Sequence, residues 1–552
     1  MAHIVKDPLY GYIRVEDGNV WRVIDSPAFQ RLRYIAQTSY APLFPSAVHN
    51  RFVHSLGVYR LGHFVAKVIE KDSLPVGSED AVRTFLKVFE LACLLHDIGH
   101  APFSHTGEVY YDLEAERQHP EADRKGSVLN LKLAEFLGVT AINQKSAAQH
   151  EIMSALMAVR EFGDLIGSLE RQRFLARAIT GYTYARNPGN EGNEVEGVPV
   201  DFLDCLISLL NGQVVDVDRM DYLIRDAYLT GFNTIVIDYK RLLSSIRISD
   251  KTASGRYEVV YLQHAVGVLE NCVYAHDAER KWIQCHPTVI YEGYLLSKAI
   301  EQVLHEFFTA SHIPAECLTP EGMELEKSGT STGLKLKSLT DGDMLFLMKN
   351  INSVEISEYF CRGRWRAKLW KSEAEFHAYF SAARLGKETV RKALQAIDEM
   401  IMSLHKQYDD RLNEQVLAKF DAEFLGDVAA QGGASDHWIE VYRKANQKKL
   451  GIMKQFKDFA VANNIPFDFL FLGKTAFKSG FSKEDLSKLK IRFDDSGTMA
   501  EFKDVTNVLM SSDDGLSSQL FYVFYPKSNP AVRPAQDAVR KFVEALVREA
   551  GC

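Results

Sequence analysis

The chain has 552 residues, 65 Lys and Arg against 73 Asp and Glu, a formal net charge of −8, and 46% hydrophobic residues. That balance excludes a minimal module, wholesale disorder and a fibrous repeat, and argues against blanket nucleic-acid coating while leaving room for a local basic pocket that gathers phosphates. No apolar run approaches the roughly 20 residues that span a bilayer, the N-terminus lacks the apolar core of a leader, and the 7 cysteines form no Cys-x-x-Cys pair, so a cytoplasmic protein with reduced thiols is expected.

From Val20 to about Phe308 apolar residues recur with helical period, as in Phe85, Val88, Phe89, Ala92 and Leu95, and the pattern breaks at Gly99 to Pro102. This reads as a helical bundle. Three stretches interrupt it: Glu108 to Asn130 is polar, Tyr184 to Glu196 is a loop by composition, and Ile246 to Leu262 reads as a hairpin around Ser254-Gly255. Cys317 to Leu334 has no apolar period and reads as a surface loop. Beyond it, Phe376 to Lys419 and Pro534 to Glu549 have the spacing of amphipathic helices, and Gln519 to Tyr525 reads as a strand. The expected architecture is mainly α: a helical-bundle domain with a small β-hairpin over residues 1–314, an extension with a surface loop over 315–372, and a mixed α+β region over 373–552.

The densest chemical signal is Leu94 to His105, where His96, Asp97, His100 and His105 close an otherwise apolar helix. On a helix at roughly 100° per residue, His96, His100 and Asp97 fall at about 0°, 40° and 100°, one polar arc. Imidazole nitrogens and a carboxylate suit Fe, Mn, Zn or Mg, and such an ion lowers the pKa of bound water. Arg51 and His54, three residues apart, are neighbours on one helix face. In Val215 to Asp226, Asp218, Arg219, Tyr222 and Asp226 share one arc, with Met220, Leu223, Ile224 and Ala227 on the other. Each of these segments alone also fits a plainer reading: His54 as a satisfied core histidine, Arg51 as a solvated charge, the last segment as a surface helix.

Taken together and in this order, His54, His96-Asp97 and Asp218 resemble the H…HD…D signature of the HD-domain phosphohydrolases. The flanking residues resemble one branch of them, the deoxynucleoside triphosphate triphosphohydrolases. The likeness opens at Val5 to Ile13 and runs through Ile24 to Gln37, His49 to Phe52, His96 to His105, His150-Glu151, Asp216 to Asp226 and Asp238 to Arg241. Weaker echoes stand at Leu339 to Asp341 and Arg364 to Arg366, so residues 1–310 are covered well and 335–372 loosely.

The resemblance implies an HD-type helical bundle that hydrolyses deoxynucleoside triphosphates to deoxynucleoside and inorganic triphosphate. His54, His96, Asp97 and Asp218 would hold a divalent metal (Mn, Fe, Mg or Zn), whose activated water would attack the α-phosphorus, with Mg accompanying the nucleotide. His105 or His150 would protonate the leaving oxygen, Glu151 would orient His150, and His100 would support the metal ligands or touch phosphate. Arg51 and Arg219 would clamp the triphosphate, Arg219 standing where the family often has Lys. Gln37, Tyr222 and Asp226 would read the sugar, although Thr38 stands where an apolar residue is usual. Asp25, Gln30 and Arg33 match positions that bind an activating nucleotide, yet Lys6 replaces an asparagine and His3 a lysine there; the same three residues fit an ion-pair network at a subunit contact equally well. A homo-dimer or tetramer is implied. Two other readings stay open: an HD phosphohydrolase for a different nucleotide, and a nucleotide-sensing or nucleic-acid-binding module with a vestigial site.

Overall fold

Apolar periodicity sets the helices. In Glu79–Leu95, Val82, Phe85, Leu86, Val88, Phe89 and all of Leu91 to Leu95 are buried, so the stripe widens to the full circumference where the helix runs into the core. Asn50 caps Arg51–Asp72, its side-chain oxygen accepting from the Val53 N–H at 3.2 Å, and thereby fixes where Arg51 and His54 enter that helix. The computed structural model describes residues 3–112 without 76, 128–139, 147–186, 192–249 without 213 and 233–235, 256–309, 327–328, 335–375 without 337, 369 and 373–374, 470–475, 483–506 without 494–496, and 519–525, with single positions at 462 and 541.

These residues fall into two compact units, neither of them contiguous. The first joins Met1–Glu279 with Leu296–Asn352 and Ser479–Met510. In it Gln149–Ile166 packs on Leu169–Thr180, which packs on Glu79–Leu95, while Val217–Thr230 lies against Arg51–Asp72. A hairpin of His3–Asp7 and Gly11–Val15 opens the chain, its turn closed by Asp7 Oδ1, which accepts from the N–H groups of Leu9 and Tyr10 at 2.8 and 3.0 Å.

Ile246–Ser249 and Glu258–Leu262 pair antiparallel, as their alternation predicts, though the turn at Ser254-Gly255 lies outside the described residues. Lys490–Arg492 adds parallel to Glu258–Leu262, with Met499–Glu501 at the edge. Through that sheet Ser479–Met510 belongs to the first unit. The Tyr184 to Glu196 loop ends in a two-residue ladder between Glu194–Val195 and Val198–Pro199.

The second unit joins Arg280–Leu295, Ser353–Lys478 and Ser511–Cys552. It holds an antiparallel sheet in the order Leu470–Thr475, Gln519–Tyr525, Ala367–Lys368, with the predicted strand at its centre. Phe524 of that strand stacks on Tyr291 at 4.7 Å, and the Tyr291 hydroxyl donates to Glu358. The predicted helices at Phe376 to Lys419 and Pro534 to Glu549 lie outside the described residues, Lys541 apart. The architecture is mainly α with small sheets and a mixed α+β region. Among the described residues no helix is long and apolar enough to cross a membrane.

Candidate metal and catalytic site

The helix Glu79–Leu95 stops one residue short of its chemistry. His96 to Gly99 form a turn in which the Ile98 N–H donates to Leu95 O and the His100 N–H to Asp97 O, each at 3.1 Å, so the helical projection of His96, Asp97 and His100 is corrected. The cause is packing. Gly99 presses against Gln149–Ile166, where a Cβ would stand 2.4 Å from the Ser154 nitrogen, and its own N–H donates to Ser154 Oγ at 2.9 Å. The turn aims His96 and Asp97 inward.

There they meet His54 and Asp218. His54 Nε2 lies 2.9 Å from Asp218 Oδ1 and 3.2 Å from His96 Nε2, His96 Nε2 lies 3.5 Å from Asp218 Oδ1, and each of these nitrogens is 3.5 Å from an Asp97 oxygen. Each imidazole has its other nitrogen engaged: His54 Nδ1 with Asp221 Oδ2 at 2.7 Å, His96 Nδ1 with the Cys93 carbonyl at 2.9 Å. An acceptor at Nδ1 places a proton there and turns Nε2 toward the centre, where it is the nitrogen that would ligate an ion. Asp218 is the open side, 39% exposed, while the His54, His96 and Asp97 side chains are 8% exposed or less.

Electrostatics tell the same story. Burial alone would lower His54, yet hydrogen bonds to Asp218 and Asp221 lift it to about 10. Against the same burial effect, His96 is raised, chiefly by the charge of Asp97 and then by Asp218. Burial would raise Asp97, but the Arg51 guanidinium, then His96 and His100, hold it well below the usual carboxylate range. Two acids and two imidazoles that would rather be protonated describe a cavity that demands positive charge.

A second cluster adjoins it. His105 Nδ1 and His150 Nδ1 both stand 2.7 Å from the same oxygen of Glu108, and His100 stacks on His150 with centroids 4.1 Å apart. In each cluster the ligand-capable atoms lie within 4.8 Å of one another, but edge lengths separate them. Donors around an ion at about 2.1 Å stand roughly 3.0–3.4 Å apart. The first cluster, at 2.9 to 3.5 Å, matches an ion; the 2.7 Å contacts of the second match two N–H donors on one carboxylate. Burial would lower His150, but its hydrogen bond to Glu108 raises it instead, and Glu108 is held low by the same contacts against its own burial. His100, wholly buried and beside Arg51, is held well below the usual histidine value, hence neutral.

Glu151 does not orient His150. Its Oε2 accepts from the Ala148 N–H at 2.7 Å and its Oε1 from the Asn211 amide at 2.9 Å, so it caps its own helix; Glu108 takes the expected role because three residues after His105 it comes round beneath both rings. Phe103 and Ser104 sit at φ 62 and 54, left-handed values that cost non-glycine residues about 1–3 kcal/mol each. They are held by Asp341, whose Oδ1 accepts from the Phe103 N–H at 2.6 Å while Oδ2 accepts from the Ala36 N–H at 2.8 Å, and by Ser104 Oγ, which donates to Ala36 O.

Arg51 is buried, donating to Asp97 Oδ2 at 2.8 Å, Ser104 Oγ at 2.9 Å and Gln37 O at 3.4 Å. Arg219 donates to the Tyr222 hydroxyl at 3.3 Å and to Val214 O at 2.6 Å, close to the open side at Asp218. The polar arc of Val217–Thr230 is corrected in part: Asp226 and Asp221 are buried, Asp226 pairing with His49 Nε2 at 2.7 Å. Gln37 is buried with no partner for its Oε1 among the described residues. Gln30 and Arg33 bond to each other at 2.7 Å, while Asp25 is exposed at the end of Gly18–Ile24. Sequence reasoning missed Glu108, Asp221, His49, Tyr10 and Asp341. Glu108 and Asp221 stand three residues after His105 and Asp218, while Tyr10, His49 and Asp341 lay in segments of the family likeness without an assigned role.

Residues 51–180 match the HD domain family. The deoxynucleoside triphosphate triphosphohydrolase SAMHD1 of Bos taurus is 30% identical over 307 residues, 53% of this chain and 47% of that one. An uncharacterized protein of Mycoplasma genitalium is 29% identical over 269 residues, 48% of this chain and 52% of its own. The chain spans about half the length of these relatives. A hypothetical protein from Aquifex aeolicus, known from its crystal structure, shares the fold at TM-score 0.55 and 18% identity, over 98% of this chain and 100% of that one.

Proposed function

We propose, from the premise that this chain carries an HD domain, that it is a metal-dependent hydrolase of deoxynucleoside triphosphates, releasing deoxynucleoside and inorganic triphosphate by attack of water on the α-phosphorus. The observation that carries the reading is the convergence of the His54 and His96 Nε2 atoms with the Asp97 and Asp218 carboxylates at a point with one open side. That donor set fits a divalent ion, Mn, Fe, Mg or Zn. When bound, such an ion acts as a Lewis acid toward phosphate and makes water a usable nucleophile near neutral pH.

The chain's own groups do the rest. His150, whose protonated form Glu108 favours, is the leaving-group acid; His105 shares that carboxylate from the solvent side. Neutral His100 packs Asp97 in place. Arg51 neutralises Asp97 in the present arrangement, and a cation at the site would free part of that guanidinium for phosphate oxygens; Arg219 approaches from the open side. Gln37, Tyr222 and Asp226 face the sugar. Asp25, Gln30 and Arg33 form a nucleotide site at a contact between copies in a cytoplasmic homo-dimer or tetramer, which light scattering with and without nucleotide would reveal.

The test is to incubate the purified chain with dNTPs, NTPs and nucleoside monophosphates in Mn²⁺ or Mg²⁺ and to identify the phosphate product. Inorganic triphosphate from dNTPs is expected. Release of orthophosphate or diphosphate, or turnover of monophosphates alone, overturns the reading in favour of a different HD hydrolase.

A further inference from the structure

The candidate ligand His54 is tied to the first residues of the chain by a buried relay. Asp221 Oδ2 faces His54 Nδ1 at 2.7 Å and accepts from Arg225 Nε at 2.9 Å; its Oδ1 accepts from the Tyr10 hydroxyl at 2.7 Å and from Arg225 Nη2 at 2.9 Å. Both oxygens are saturated. The remaining Arg225 nitrogen, Nη1, donates to Asp7 Oδ2 at 3.1 Å, and Asp7 Oδ1 closes the turn of the N-terminal hairpin. The side chains of Asp221, Arg225 and Asp7 are at most 5% exposed, so water does not dilute these contacts. The helix makes room for them. A Cβ at Gly57, one turn beyond His54, would stand 1.9 Å from Asp221 Oδ1 and 2.5 Å from Arg225 Nη2.

We infer that Asp7 and Tyr10 are positioning residues for the metal ligand His54, acting through Asp221 and Arg225; the inference rests on the metal reading above. Two carboxylates and one guanidinium leave one negative charge, and the geometry directs it at His54 Nδ1. A carboxylate so placed fixes the ring tautomer and raises the basicity of Nε2. Asp7 sets how far Arg225 draws charge away from Asp221: without the Asp7 charge, the guanidinium is balanced by Asp221 alone and His54 becomes the poorer donor. Tyr10 sets the rotation of the Asp221 carboxylate, holding Oδ1 so that Oδ2 meets the ring.

Asp7→Asn and Tyr10→Phe separate this from mere support of the hairpin. Asn keeps the side-chain oxygen that closes the turn and loses the charge together with the oxygen that accepts from Arg225 Nη1; Phe keeps the ring and loses only the hydroxyl. Mn²⁺ binding to the full-length protein, freed of metal and titrated calorimetrically without nucleotide, should weaken about three- to tenfold in each, short of the roughly 10- to 100-fold typical of a partner in direct contact with a ligand, which Asp221→Asn should reach. Thermal melts of the metal-free variants report the structural part. A folded Asp7→Asn or Tyr10→Phe protein with wild-type Mn²⁺ affinity overturns the inference, whatever its melting temperature. A wild type that takes up none of Mn²⁺, Fe²⁺, Mg²⁺ and Zn²⁺ overturns the metal reading and this inference with it.

Discussion

Two groups of imidazoles lie side by side in one helical unit, joined by the 3.1 Å contact from Asp97 to His100, and they differ in which nitrogen is tied down. At His54 and His96 the Nδ1 atoms face outward to Asp221 and a carbonyl, and the Nε2 atoms face each other. At His105 and His150 the Nδ1 atoms themselves converge on Glu108. The same residue types therefore turn Nε2 toward a common centre in one group and Nδ1 toward a shared carboxylate in the other. Composition cannot tell an ion site from a proton-transfer site; the partner of the remote nitrogen can.

Substitutions placed in or between the two groups test the distinction, and Asp97→Ala, at the contact that joins them, should act most strongly. It should abolish metal uptake and cut triphosphate release by at least about a hundredfold, since stabilisation of transition-state charge goes with the ion, while circular dichroism stays that of the folded chain. Full metal content and turnover in that variant would erase the difference between the groups. Arg51→Ala comes next. Leaving Asp97 buried and unpaired should destabilise the metal-free protein by about 3 kcal/mol, and saturating Mn²⁺ should narrow that gap in denaturant melts, because the ion replaces the lost charge; an unchanged gap would break the assignment of Asp97 to the ion.

Glu108→Gln should leave metal affinity intact and move the pH profile. The carboxylate raises the pKa of His150, so the acid form survives to higher pH and turnover falls as pH rises through that value. Removing the charge lowers it, shifting the alkaline limb of kcat down by on the order of one pH unit. The same sign governs stability: the His150 contribution is complete below its unfolded pKa and is lost as pH rises through the folded value. An unshifted limb with halved metal content would place Glu108 in the wrong group. The smallest effect belongs to Asp226→Ala, which touches neither. It should reduce the dGTP/GTP preference by about tenfold or less while largely sparing the dGTP rate; an unchanged ratio would remove Asp226 from the sugar.

How much of this the sequence discloses depends on the range of the interaction. The helical bundle, the Ile246 to Leu262 hairpin and the strand Gln519–Tyr525 follow from local periodicity, and His54, His96, Asp97 and Asp218 follow from ligand chemistry in a familiar order. His96 to His100 mislead because the helix ends at Leu95 in a turn whose Gly99 meets a helix some fifty positions later, a contact with no local trace. Glu151 misleads for the opposite reason: it lies next to His150, and adjacency in a helix points side chains apart. Arg225 and Asp221 are a local i,i+4 pair, but the role of Asp7 and Tyr10 has no local trace because the groups they meet, Arg225 and Asp221, lie some 210 positions away.

The contact of Asp341 with the Phe103 amide spans 238 residues. A ribosome adding roughly 5–20 residues per second needs on the order of ten to fifty seconds to cover that distance. Throughout that interval the nascent chain has His100 and His105 but no carboxylate to hold the left-handed pair between them. The loop bearing the proposed acid-side histidines thus acquires its latch only when translation is well past residue 314. An unfinished chain therefore has the composition of the proposed site before it has the shape, and translation stalled between residues 226 and 341 should leave fragments that contain every proposed ligand and turn over nothing.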